Sequence, residues 1–239
     1  MNGTVHAVAD YAAAWPDPPP GIDVVFCPPW AYLDRLAAAL RGGGVRFGVQ
    51  TTAVEAAGAF TGEHAAEMAR DLGAEFAIVG HSERRRLYAE TDAVVVEKFL
   101  AARRAGLTPI VCVGETLEER RDGKAVGVVL AQLDAIDAGA GPAAWEDVVI
   151  AYEPVWAIGT GETATPAQAQ EMHAVIRDYL ARRSSALPRE TRILYGGSVN
   201  AANADDLFAQ ADIDGGLVGG ASLDAGEFAG ICRAAAQQS

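Results

Sequence analysis

The chain has 239 residues, half of them hydrophobic, which is enough for one domain with a sizeable core and incompatible with wholesale disorder. Acidic residues outnumber basic ones 32 to 19, for a formal net charge of −13 at neutral pH, so the field of the molecule repels polyanions and excludes nucleic acid and anionic membranes as partners. Cys27, Cys112 and Cys232 lie too far apart for a disulfide framework or a zinc site. No apolar run approaches the roughly 20 residues of a membrane span, and Met1-Asn2-Gly3-Thr4 does not open a signal peptide. The expectation is a cytoplasmic protein with no metal and no cofactor.

Residues 5–15 carry helical spacing and predict a first helix with no strand-like run before it. Apolar, β-branched runs follow at 23–27, 45–50, 76–80, 109–113, 148–152, 191–195 and 215–219, separated by amphipathic stretches such as 31–40, 92–105 and 167–183. The runs are nearly continuous in apolar residues, as parallel strands buried on both faces require. Strand then helix, seven times over and without a linker, predicts a single α/β domain over residues 1–239, a (β/α)8 barrel. A doubly wound sheet is the alternative, weakened because no Gly-x-Gly-x-x-Gly follows an early strand. A closed barrel needs eight strands and only seven runs are found, so a first strand is expected to be missing ahead of Met1.

In such barrels chemistry sits in the loops after the strands. His81 and Ser82-Glu83-Arg84-Arg85 follow run 76–80, and Glu153-Pro154-Val155-Trp156 with a glycine-rich loop follows run 148–152. Glu153 under a lid would be a poorly solvated and therefore stronger base; paired with an Arg it would be only a surface carboxylate. His81 could act as an acid or electrophile, or be a structural histidine. The pairs Gly196-Gly197 and Gly219-Gly220 suit phosphate, because glycine lets backbone N–H groups approach an anion; one pair alone would be only a tight turn. Glu115 reads as a loop-fixing carboxylate, and Glu118 to Asp122 as an exposed helix end. His6, His64 and His173 are expected on helices.

Six stretches together resemble the triosephosphate isomerase family: 58–63 (GAFTGE), 79–85 (VGHSERR), 112–116 (CVGET), 152–161 (YEPVWAIGTG), 195–199 (YGGSV) and 218–223 (VGGASL). They fall in the family's order across the whole chain. The resemblance implies interconversion of dihydroxyacetone phosphate and D-glyceraldehyde 3-phosphate through an enediol(ate), in glycolysis and gluconeogenesis and without a cofactor. It assigns proton transfer to Glu153 and carbonyl polarisation to a neutral His81. It gives phosphate binding to Gly159, Ser198, Gly219 and Gly220, a supporting role to Glu83 and a packing role to Cys112. It also implies a homodimer through the loop around Thr61.

The chain departs from the family at its start, where a Gly-Asn-Trp-Lys-Met-Asn-Gly motif is cut to Met1-Asn2-Gly3, removing a lysine that neither Lys98 nor Lys124 can replace. Gln50-Thr51 and Glu162 are smaller departures, expected to be tolerated. Met1 is therefore expected to be an internal methionine of the natural product. Because a preorganised charge beside a developing oxyanion contributes several kcal/mol, the chain as written is expected to turn over at least about a hundredfold more slowly than an intact relative. A non-catalytic phosphate-binding relative is the first alternative. Another phosphate-binding barrel enzyme is the second, with a Schiff-base aldolase disfavoured because no lysine stands at a strand end.

Overall fold

The computed structural model describes residues 2–141, 143–158, 163–184 and 186–238. Six strands form one parallel sheet in chain order: β1 (Val25–Phe26), β2 (Arg46–Val49), β3 (Phe76–Val79), β4 (Thr108–Val113), β5 (Val149–Tyr152) and β6 (Arg192–Tyr195). Each strand is hydrogen-bonded to the next and the order never reverses. Right-handed crossovers therefore keep all helices on one face, and the sheet curls away from them into a βα barrel. The helices that position the site are α1 (Val5–Ala14), α2 (Leu33–Ala39), α3 (Ala66–Asp71), α4 (Ser82–Tyr88), α5 (Asp92–Arg104), α6 (Leu117–Arg121), α7 (Ala125–Ala140), α8 (Pro166–Ala181), α9 (Leu187–Glu190), α10 (Ala204–Phe208) and α11 (Ala225–Ala236). None of the described helices is long and apolar enough to cross a membrane.

Strand alternation divides the core in two. Phe76, Ile78, Ile110, Cys112 and Ala151 fill the barrel interior. The alternate residues Ala77, Val79, Val111, Val113 and Ile150 pack outward against the helices. Both faces are buried, which is why these strands read as continuous apolar runs.

The run at 215–219 is not a strand. It makes one isolated bridge, Gly216 to Tyr195, in which the Gly215 carbonyl accepts from the Tyr195 N–H (2.9 Å) and the Leu217 N–H donates to the Tyr195 carbonyl (3.0 Å). Its three glycines, with Gly215 at φ +147, weaken extended structure, and it has a ladder on one side only. The run at 23–27 shrinks to Val25–Phe26 for the second of these reasons. The barrel wall is thus open between β1 and residues 214–217. At the bottom of this opening Arg192 meets Asp23 at 3.0 Å, an exposed ion pair of little energetic weight. Outside it Trp15 packs 4.9 Å from Phe26 and 5.4 Å from Phe228. The predicted helix 31–40 begins as a 3-10 turn at Trp30–Tyr32, and His64 lies in a loop stacked on Trp30, not on a helix.

His173 of α8 is wholly buried between Tyr152 and Tyr195, its Nδ1 2.8 Å from the Ala169 carbonyl. Burial penalises the imidazolium and lowers its pKa from 6.5 to about 4. Below pH 6.5 the unfolded chain takes up a proton that the folded chain refuses. Stability is therefore full above that pH and is lost as pH falls toward 4, by about 3 kcal/mol in all. In urea unfolding, His173→Gln should remove that part of the acid destabilisation, whatever it costs at pH 7. An unchanged difference between pH 7 and pH 4.5 would contradict the assignment.

Candidate active site

Val149 and Ala151 of β5 face the barrel interior, and the same alternation carries Glu153 inward just past the strand end. Its backbone is fixed from β4: the Glu153 N–H donates to the Val113 carbonyl at 2.7 Å, and the Val155 N–H to the Glu115 carbonyl at 3.1 Å. Gly114 lies against the Glu153 backbone so closely that a Cβ there would sit 1.8 Å from the Glu153 carbonyl oxygen. Only glycine fits. Gln132 of α7 holds Gly114 in place, accepting from its N–H (2.8 Å) and donating to its carbonyl (3.1 Å).

β3 ends at Val79, and Gly80 follows with φ +73, a left-handed conformation that ends the alternation and leads into α4. Arg85 secures this corner, donating to the Gly80 carbonyl (2.8 Å) and to Asp92 (2.6 Å). His81 caps α4, its Nδ1 accepting from the Glu83 N–H at 3.2 Å. That acceptor role places the proton of the neutral ring on Nε2, which lies 3.0 Å from Glu153 Oε1. Ser82 completes the arrangement, donating its N–H to Glu153 Oε2 (2.9 Å) and its hydroxyl to Oε1 (3.1 Å).

Glu153 is 2 % exposed. Its pKa is raised by burial, a shift partly opposed by His81 and by the two Ser82 hydrogen bonds. The carboxylate is therefore a stronger base than in water while still being held by donors. Cys112 beneath it is buried, and its thiol is pushed well up, first by burial and then by the charge of Glu153.

Glu115, fully buried, takes three donors on Oε1: the Tyr152 hydroxyl (3.1 Å), the Trp156 indole (2.9 Å) and Arg120 (3.2 Å). It ties the residues on either side of Glu153 to β4, as a loop-fixing carboxylate does. Arg120 is thereby half-buried beneath Trp156 instead of lying in a wholly exposed helix end.

A cavity of about 1690 Å3 is lined by His81, Glu153, Ser198, Gly219 and Gly220, so these five predicted residues share one space. Ser198 is exposed in the loop after β6, and Gly219 opens the 3-10 turn Gly220–Leu223. Gly159 lies outside the described residues. The side chain of Glu83 is exposed; only its N–H reaches His81. Lys98 is buried against Glu90 (2.6 Å) and Thr51 (2.9 Å), and Lys124 pairs with Asp122 at 2.8 Å. Ser82, Arg85 and Gln132 escaped the sequence reading. Ser82 and Arg85 stand in the same stretch as His81, but Gln132 sits on a different helix and no pattern links it to Gly114.

A βα barrel that brings a buried carboxylate and a neutral imidazole together at its strand ends has the build of a barrel enzyme for acid–base chemistry. The profile of the triosephosphate isomerase family matches residues 1–235. A triosephosphate isomerase of Thiobacillus denitrificans is 53 % identical over 237 residues, covering 99 % of this chain and 96 % of its own. One from Serratia proteamaculans is 49 % identical over 239 residues (99 % and 94 %), and one from Alcanivorax borkumensis is 50 % identical over 235 (98 % and 95 %). The chain belongs to the triosephosphate isomerase family.

Gly114→Ala should push the Glu153 backbone away from β4 and destabilise the fold by about 2–3 kcal/mol. Chemical denaturation checks this, and an unchanged midpoint would show that the contact yields freely.

Proposed function

We propose that the chain interconverts dihydroxyacetone phosphate and D-glyceraldehyde 3-phosphate as a cytoplasmic enzyme of glycolysis and gluconeogenesis. The observation that carries this reading is the 3.0 Å approach of His81 Nε2 to Glu153 Oε1 inside one cavity. Glu153 removes the proton from the carbon next to the substrate carbonyl and returns it to the neighbouring carbon, while the hydroxyl on the first carbon gives up its proton and the former carbonyl oxygen gains one. His81 donates from Nε2 to the carbonyl oxygen and stabilises the charge that develops there. Transfer of a carbon-bound proton needs such a base and such a donor in a water-poor site, and needs no cofactor.

The substrate phosphate is an anion in the field of a molecule of charge −13. Uncharged donors at close range answer that field: the backbone N–H groups of Gly219 and Gly220 and the hydroxyl of Ser198, with Gly159 of the lid. The loop 55–64 is exposed and presents Phe60 at 45 % exposure. That surface supports a homodimer formed through the loop around Thr61. A non-catalytic phosphate-binding role draws no support from the site, where Glu153 is held buried at the cost of its own pKa.

Glu153→Gln should reduce kcat by about 10³-fold or more without loss of the circular-dichroism signal, and His81→Gln by about 10²–10³-fold. The base acts only when ionised, so activity should be full on the alkaline side and fall as pH drops through a midpoint above 4.5. A coupled assay of purified protein checks both. Full turnover by Glu153→Gln would remove the carboxylate from the chemistry. Sedimentation should show a dimer that is lost when the loop around Thr61 is shortened, and a monomer at all concentrations would contradict that interface.

A further inference from the structure

Two separate loops supply the donors assigned to the substrate phosphate: the loop after β6, which carries Ser198, and the segment that enters the 3-10 turn at Gly219 and Gly220. Neutral donors hold an anion only where they converge on it, because a hydrogen bond weakens steeply with distance and angle. Whatever fixes the separation of the two loops therefore sets the affinity of the site.

The first loop is closed on itself. Asn203 donates from Nδ2 to the Ser198 carbonyl (3.0 Å) and accepts from the Asn200 N–H (2.9 Å). Asn200 Oδ1 in turn accepts from the N–H groups of Ala202 (2.9 Å) and Asn203 (3.1 Å). Ser198 is thus fixed to residues 200–203. The Ala201 N–H, left over from this set, donates to Glu227 Oε1 of α11 at 2.8 Å. The second loop is fixed to the same helix. The Ser222 N–H and hydroxyl both donate to the Gly219 carbonyl (3.0 and 2.6 Å), and Asp224, at the end of that turn, caps α11 by accepting from the Glu227 N–H at 2.8 Å. Glu227 is therefore bonded through its main chain to the end of one loop and through its side chain to the other. Gly230 lies three residues on along the same face of α11, close against the first loop: a Cβ there would sit 3.0 Å from the Ala201 Cβ.

We propose that Glu227 is a positioning residue, which sets the spacing of Ser198 against Gly219 and Gly220 and thereby the affinity for a phosphomonoester. The inference rests on the phosphate reading of those three residues. On charge alone a carboxylate is a poor neighbour for an anion site, in a molecule already at −13. Its use is as an acceptor, since an ionised oxygen holds an N–H more strongly than a neutral one does. The two effects oppose each other: holding the loop favours the ligand, and the charge repels it. Glu227→Gln keeps an acceptor and drops the charge, whereas Glu227→Ala drops both. A positioning role therefore weakens binding in the alanine variant alone, while a role through charge tightens binding in both.

Isothermal titration of the full chain with glycerol 3-phosphate, a phosphomonoester with no carbonyl to react, separates these cases. Glu227→Ala should raise Kd at least about fivefold, as expected for loss of a charge-assisted hydrogen bond, and should speed amide hydrogen exchange at Ala201. Glu227→Gln should restore both to within about twofold of the unsubstituted chain, or bind more tightly. Gly230→Ala leaves every donor and acceptor in place but pushes on Ala201, and should raise Kd at least about twofold. That variant decides the matter if Glu227→Ala does not fold, and an unchanged Kd in it would then overturn the proposal. An unchanged or lower Kd in a folded Glu227→Ala, whatever its melting temperature, would overturn it too. So would equal weakening in Glu227→Gln and Glu227→Ala. Absence of binding by the unsubstituted chain would overturn the phosphate reading itself, and the proposal with it.

Discussion

Glu153 is a carboxylate kept out of water, and much of the structure near the strand ends serves to keep it there. Removing an ionised group from solvent costs several kcal/mol unless donors replace the water. Three donors do so: the Ser82 N–H, the Ser82 hydroxyl and the His81 ring. All come from the corner between β3 and α4. Burial still outweighs them, so the pKa of Glu153 remains raised. That imbalance gives a base stronger than an ordinary glutamate, already placed beside a neutral hydrogen-bond donor.

The pair works only if β3 and β5 hold their relative positions, although β4 stands between them. The structure meets this demand with main-chain contacts more than with side-chain packing. Gly114 admits the Glu153 backbone where any Cβ would block it, Gln132 saturates both polar groups of Gly114, and Glu115 gathers Tyr152, Trp156 and Arg120 onto one oxygen. Arg85 does the corresponding work at the Gly80 corner. These residues surround the reacting pair without touching the space a substrate would fill.

Much of this was legible in the sequence, for physical reasons that differ by element. The strands at 76–80, 109–113 and 148–152 are buried on both faces, so their composition alone marks them. Glu153 and His81 stand directly after such strands. The run at 215–219 has similar apolar character but is rich in glycine and is paired on one side only, and composition does not report the neighbour a strand requires. It reduces to a single bridge at Gly216. The role of Gln132 was invisible, since a glutamine on an amphipathic helix gives no sign of a peptide group 18 residues away in sequence. Family resemblance carried the finer assignments, of Ser198, Gly219 and Gly220 to phosphate and of the loop around Thr61 to a partner subunit.

The central claim is that Glu153 exchanges a carbon-bound proton of the substrate while His81 polarises the carbonyl. The most direct measurement is proton NMR of dihydroxyacetone phosphate incubated with the folded 239-residue chain in deuterium oxide. Exchange at carbon can be detected even where net turnover is slow. Deuterium should enter the carbon that bears the transferred proton, at a rate that collapses in Glu153→Gln while the fold survives. Absence of exchange with the folded chain, or exchange unaffected by Glu153→Gln, would contradict the account.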